Sequence, residues 1–346
     1  MSDQSMPRTL AILLGMACAV VTLFGVREVA SIVGPVVLAL VLVVAVAPVR
    51  DWLRDHKAPG WIQVAVPFLI VLLVLLAMVG VLTISATELA SLLPAYTNQF
   101  QQLVNNAEHF ATTHGISNAQ LNKLIQSFDP AKVIGILQSL LSSVLDVLSG
   151  LFLIVVLLLA MCLDAPVTAK ILSSGGDKPH LVTALATFAH KTRRYLIVST
   201  IFGLICAVLD VAALSILEVP LPFLWGVLAL ITNYIPNVGF VLGLIPPAML
   251  ALLNGGVKQM LLVIAAYCVI NVVIQSFIQP KFLGDAVGLS TTMTFVSLVV
   301  WAFVLGPLGA LLAIPLSLLT RALLVDSDPN ARWAAALISG TPPSRT

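Results

Sequence analysis

The stretch LPFLWGVLALITNYIPNVGFVLGLIPPAMLALL, Leu221 to Leu253, decides the fold. It is apolar almost throughout, yet it is broken in the middle at Ile235-Pro236-Asn237-Val238-Gly239 and carries a further proline at Pro246. A second stretch, Thr294–Leu324, repeats the design with a break at Leu305-Gly306-Pro307-Leu308-Gly309 and a downstream Pro315. A straight helix rises about 1.5 Å per residue, so either stretch would reach about 45 Å against a hydrocarbon core of about 30 Å. Neither fits as one upright span. Two half-helices folded back at the Pro/Gly break do fit, each dipping part of the way into the bilayer. Non-helical backbone at that depth is tolerated only where protein or a water-filled cavity surrounds it. A matched pair of Gly/Pro-interrupted segments points to the binding site of a secondary transporter.

Composition agrees with a membrane setting. The chain is 60% hydrophobic and only 9% charged, which excludes an ordinary soluble domain and predicts an all-α polytopic membrane protein. Its net charge of +2 comes from scattered basic residues and gives no nucleic-acid footprint. Cys18, Cys162, Cys206 and Cys268 lie in apolar runs without C-x-x-C spacing, so they read as small buried hydrophobes. His56, His109, His114, His180 and His190 fall in loops or near span ends without metal-ligand spacing. The Ser173-Ser174-Gly175-Gly176-Asp177 stretch lacks the Lys-Ser or Lys-Thr pair of a phosphate-binding loop, and no G-x-S-x-G elbow occurs. The expectation is a protein with no cofactor, no metal and no catalytic residues.

Read in order, residues 1–84 supply N-terminal scaffold spans at Leu10–Val26, Val29–Val49 and Trp61–Ile84. Arg50, Arg54 and Lys57 place the loop before Trp61 in the cytoplasm. Residues 85–139 form a small exterior helical insert. Leu89, Leu92, Leu93, Tyr96, Phe100, Leu103, Val104 and Ala107 recur there at helical spacing. Ser117 to Gln120 resembles a capping box, and Asp129-Pro130 opens a third helix that runs on into the membrane. Residues 140–194 are a span and a cytoplasmic loop, Asp164–Arg194, rich in Lys and Arg. Residues 195–325 are the transport unit, and 326–346 a polar cytoplasmic tail. Counting crossings within 195–325 gives one full span and one broken hairpin, twice over and in opposite orientation, which is an inverted repeat. Both termini then lie in the cytoplasm.

The element Ile235-Pro236-x-x-Gly239, Pro246, Gln279-Pro280-x-x-x-Gly284, Gly288-Leu289-Ser290, Gly306-x-x-Gly309 and Ile314-Pro315 together resemble the autoinducer-2 exporter-like transporter family. The resemblance spans the whole chain and is most specific between Pro220 and Leu324. It implies a bacterial inner-membrane protein with about eight hydrophobic segments, working as a homo-oligomer, with pentamers suspected. It implies export of autoinducer-2 for some members and sodium/proton exchange for others. It carries over the hairpin breaks Pro236, Gly239, Gly306, Pro307 and Gly309, and no catalytic residue.

Among residues able to do chemistry, Asp210 is the ionisable group most clearly inside an apolar run. A carboxylate at membrane depth costs about 2.5–3.5 kcal/mol on insertion scales, so it faces a cavity or a partner. It is the candidate for proton or ion coupling, unless it lies near enough to the exterior end to be hydrated. Asn271, Gln275 and Gln279 recur every four residues and form a polar stripe on one helix face. Neutral amides offer donors and acceptors to a polar solute without the desolvation cost of charge. The same stripe could serve only to bond helices together. Asn233 and Asn237 flank the first break, and Thr291 and Thr292 open the second broken segment. Half-helix ends there leave backbone groups that can hold an ion, although Asn237 is equally suited to capping. The expected function is secondary transport or export of small polar organic solutes through a midplane site lined by the two hairpins. The alternatives are a sodium/proton exchanger centred on Asp210 and an oligomeric assembly or sensing protein that uses the exterior helices.

Overall fold

The computed structural model describes residues 8–113, 130–173, 179–236, 238–279 and 288–328. Asn237, the Ser117 to Gln120 box, Asp129, Pro280 and Gly284 lie outside these residues. All secondary structure in the described residues is helical: α1 Arg8–Glu28, α2 Ala30–Asp55, α3 Gly60–Thr113, α4 Pro130–Ser173, α5 Pro179–Ile216, α6 Pro222–Thr232, α7 Gly239–Asn271, α8 Thr291–Leu311 and α9 Ala313–Arg321. Six helical stretches among them are long and apolar enough to cross a membrane: Ala30–Asp55, Gly60–Ile84, Gly150–Ile171, Pro179–Ile216, Gly239–Gln275 and Thr291–Leu311. The molecule is a multi-pass membrane protein.

Two boundaries differ from the sequence reading. The amphipathic helix expected to begin an insert after Ile84 is the same helix as the third span, because α3 runs unbroken for 54 residues. At about 1.5 Å per residue it is about 80 Å long, far more than a bilayer core needs. No glycine or proline interrupts the join, so the change from lipid-facing to amphipathic composition does not end the helix. Similarly, most of the expected loop Asp164–Arg194 is helical. α4 continues to Ser173 and α5 starts at Pro179. Charge sets which side of the membrane a segment occupies, whereas Ala, Leu, Lys and Arg remain good helix formers there.

The chain divides into two compact units. One comprises Val49–Val155 and Arg194–Asp285. Its core gathers Leu214, Trp225, Leu250, Ala251, Val263 and Tyr267, with Leu82 of α3 packed against it. α6 has only 11 residues, about 16 Å, so it reaches about half-way across a hydrocarbon core. Pro222 opens it at a position where the missing N–H costs nothing. After the break at 233–238, α7 folds back along α6. The two approach so closely that a Cβ on Gly239 would run into the Thr232 carbonyl. α7 itself turns a corner at Gly255 and Gly256, the latter at φ 73°. The corner is pinned from outside: Asn254 donates to the Glu218 carbonyl at 3.2 Å, and Gln259 donates to that of Leu217. α7 ends in a wide π-helical turn, Val272–Ile278.

The other unit comprises Met1–Pro48, Val156–Arg193 and Ala286–Thr346. Its hairpin is built the same way. Ser290 caps α8, accepting from the Met293 N–H at 3.3 Å. The helix breaks at Gly306, whose φ of 64° is left-handed and open to glycine. A Cβ on Gly309 would collide with the Trp301 carbonyl, the counterpart of Gly239 against Thr232. Trp301 Nε1 donates to Ser317 Oγ at 2.9 Å and ties the two arms together. α1 packs on α8 through Phe24 edge-on to Phe303 and the Arg27 guanidinium 4.2 Å above the same ring. α9 ends in a second π-turn, Ala322–Asp326, where Arg321 pairs with Asp326 at 3.3 Å and donates to the Gly288 carbonyl at 2.6 Å.

Both close approaches are backbone against backbone, so neither can be relieved by a side-chain rotation. Gly239→Ala and Gly309→Ala should each destabilise by about 1–3 kcal/mol, read as a lowered unfolding midpoint in detergent. Gly80→Ala is the control, since an added methyl there meets nothing within 4 Å. A midpoint for Gly239→Ala equal to that of the control would contradict the tight hairpin.

Candidate functional site

One face of α5 faces the first hairpin. Tyr195, Ser199, Gly203, Cys206 and Asp210 follow one another at steps of four, four, three and four residues, the spacing that lines up side chains along a helix. The hairpin tip is bound to this face. Tyr195 donates its hydroxyl to the Tyr234 carbonyl at 2.8 Å, and the Tyr234 hydroxyl meets Thr200 Oγ1 at 2.6 Å. Asn233, at the C-cap of α6, directs Nδ2 to the Ser199 carbonyl at 3.4 Å.

The other side of Asn233 is held from the π-turn. Gln275 Nε2 donates to Asn233 Oδ1 at 2.7 Å and to Asn271 Oδ1 at 2.9 Å. Asn271 is buried and donates Nδ2 to the Tyr267 carbonyl at 2.9 Å. One glutamine thus bridges the broken end of α6 to the last turn of α7. A π-turn widens a helix locally and often marks a functional position. Below the amides lies a cavity of about 10 Å³ lined by Cys206, Asp210, Ala229, Thr232, Asn233, Phe240, Gly243, Tyr267 and Asn271. Asp210 and Tyr267 are each 1% exposed, and among the described residues Asp210 Oδ1 and the Tyr267 hydroxyl have no hydrogen-bond partner. Each such orphan costs about 1–3 kcal/mol if nothing else fills the need. Among the described residues no group of three His, Cys, Asp or Glu side chains comes together to hold a metal.

Of the residues singled out by sequence, Asp210, Asn233, Asn271 and Gln275 meet in this one cluster. Asp210 is buried, although Leu217 at the end of its segment is only about two helical turns away. Pro236 and Gly239 form the break beside it. Gln279 follows the π-turn, half-buried, and its side chain joins none of these hydrogen bonds. Thr291 and Thr292 lie exposed in the first turn of α8, in the other unit, where Gly306, Pro307 and Gly309 make the second break. Asn237 lies outside the described residues, and the residue that precedes α7 as its N-cap is Val238, with no side-chain cap. Sequence reasoning missed Tyr195, Thr200, Tyr234 and Tyr267. For Tyr195 the signal was present as the polar and small residues recurring along one face of α5; Tyr234 and Tyr267 stand singly in apolar runs and gave none.

The end of α6 is thus pinned by amides within an apolar bundle. Residues 10–326 match the family described as AI-2E family transporter. The chain belongs to that family. Among its AI-2E relatives is the AI-2 transport protein TqsA of Escherichia coli (strain K12), 31% identical over 331 residues and covering 95% of each chain. The putative transport protein YhhT of the same organism is 27% identical over 335 residues, 96% of each chain. A putative transport protein of Haemophilus influenzae is 29% identical over 334 residues, 94% of this chain and 95% of the relative. Membership in the AI-2E family makes the protein a transporter, and the resemblance drawn from the Pro/Gly elements agrees with it.

The Gln275 bridge is open to a double-mutant cycle. Asn233→Ala and Gln275→Ala combined should be less destabilising than the sum of the two, with a coupling of about 0.6–1.7 kcal/mol, the range measured between membrane helices. Additive effects on the unfolding midpoint would show that the bridge contributes nothing.

Proposed function

We propose that the protein carries a small polar organic solute, of the kind represented by autoinducer-2, across the bacterial inner membrane along the amide cluster of the first hairpin. The observation that supports this reading is the single Gln275 amide donating to both Asn233 and Asn271. Neutral amides at a helix break can exchange their bonds with one another for bonds to hydroxyl and carbonyl groups of a solute at little net cost. A charged cluster would bind more tightly but would carry a large desolvation penalty. The name of the relative TqsA supports autoinducer-2 as the first solute to test.

In this reading α6 and the first arm of α7 form a re-entrant hairpin, since an 11-residue helix is too short to cross a core of about 30 Å. The second hairpin, α8 with α9, is its inverted counterpart. Arg50 and Arg54 in the last turns of α2, with Lys57 in the link to α3, support a cytoplasmic position for that end, and hence for both termini.

The test is flux of autoinducer-2 in proteoliposomes, with a panel of other small polyols and hydroxyketones beside it. Gln275→Leu keeps the volume of the side chain and removes both donors. It should reduce flux by about tenfold, the equivalent of one lost hydrogen bond of about 1.4 kcal/mol, in a protein that remains folded. Undiminished flux in folded Gln275→Leu would reject the amide cluster as the solute path.

A further inference from the structure

Of the four buried side-chain polar atoms that lack a partner among the described residues, two belong to residues of one cavity: Asp210 Oδ1 and the Tyr267 hydroxyl. Three elements wall that cavity. α5 contributes Cys206 and Asp210; α6 and its C-cap contribute Ala229, Thr232 and Asn233; α7 contributes Phe240, Gly243, Tyr267 and Asn271. The titratable groups facing Asp210 are therefore Cys206 and Tyr267, and no cationic side chain lines the space. At about 10 Å³ the cavity has room for one water and no more. A carboxylate that is sealed from solvent and has no countercharge must be neutralised, and a proton needs no further space.

We propose that this cavity is a protonation site in which Asp210 takes up one proton while a single bound water bridges its carboxyl to the Tyr267 hydroxyl. The water fills both orphaned valences. It accepts from the Tyr267 O–H and donates to Asp210 Oδ1 when the carboxyl is ionised. Uptake of one proton turns the carboxylate into a neutral carboxylic acid and takes the local charge from minus one to zero, and nothing else is consumed or released. Thr232 and Asn233 both line the cavity and end α6, so the charge on Asp210 acts directly on the tip of the hairpin. Coupling of this proton to solute movement rests on the transport reading above. The protonation itself does not.

The experiment is therefore made without solute, on the full chain reconstituted in lipid nanodiscs. Infrared difference spectra are taken between about pH 5 and about pH 9, once in sodium chloride and once in choline chloride. The wild type should show a protonated-carboxyl C=O band that is lost in Asp210→Asn. In Tyr267→Phe the band should remain, with its titration midpoint moved by about half a pH unit or more through loss of the hydroxyl end of the water bridge. Exchange of sodium for choline should leave the midpoint where it is. Identical spectra for wild type and Asp210→Asn would overturn the proposal, as would a midpoint that follows sodium concentration, which would make the cavity a cation site. Should Asp210→Asn fail to fold, the Tyr267→Phe midpoint decides, and an unmoved midpoint counts against the site. A protein that shows the band but carries no autoinducer-2 would fail the transport reading alone.

Discussion

A helix that stops inside a membrane leaves N–H and C=O groups with no water to turn to, and each costs several kcal/mol if unsatisfied. Around the end of α6 those groups find partners one after another. Within the break the chain bonds to itself: the Asn233 N–H reaches Ala229, the Ile235 N–H reaches Thr232 at 2.8 Å, and the Gly239 N–H reaches Ile235. What the chain cannot supply locally comes from α5, whose Tyr195 hydroxyl covers the Tyr234 carbonyl. The polar residues of the site are thus demanded by the backbone.

The same constraint explains how much of the molecule was legible in its sequence. Proline and glycine act through local geometry, so the breaks at Ile235–Gly239 and Leu305–Gly309 could be read directly, and both breaks lie where the sequence put them. Amides spaced four apart on a helix also declare themselves, and Asn271 and Gln275 share a bond as that spacing predicts. Element ends were harder. Nothing in the composition at Ile84 or Asp164 forbids a helix from continuing, and both helices do continue.

Partners from distant parts of the chain were the least legible. Gln275 and Asn233 are 42 residues apart, and Tyr195 and Tyr234 are 39 apart. Only the folding back of α7 along α6, against the face of α5, brings them together. Gln279 continues the i, i+4 pattern but lies past a π-turn, where the wider winding breaks the register. Its absence from the cluster could not be read from spacing alone.

The two hairpins solve one problem with different chemistry. Each needs a glycine where its arms touch, Gly239 in one and Gly309 in the other. Among the described residues the second is closed by the Trp301–Ser317 hydrogen bond and by apolar packing, with Leu308 close against Gly34 of α2. The first is held by a chain of side-chain hydrogen bonds, through Tyr195, Asn233, Gln275 and Asn271, above a buried carboxyl. Among the described residues, then, the first tip is held by a network of buried amides and hydroxyls, and the second arm by a tryptophan–serine bond and apolar contacts.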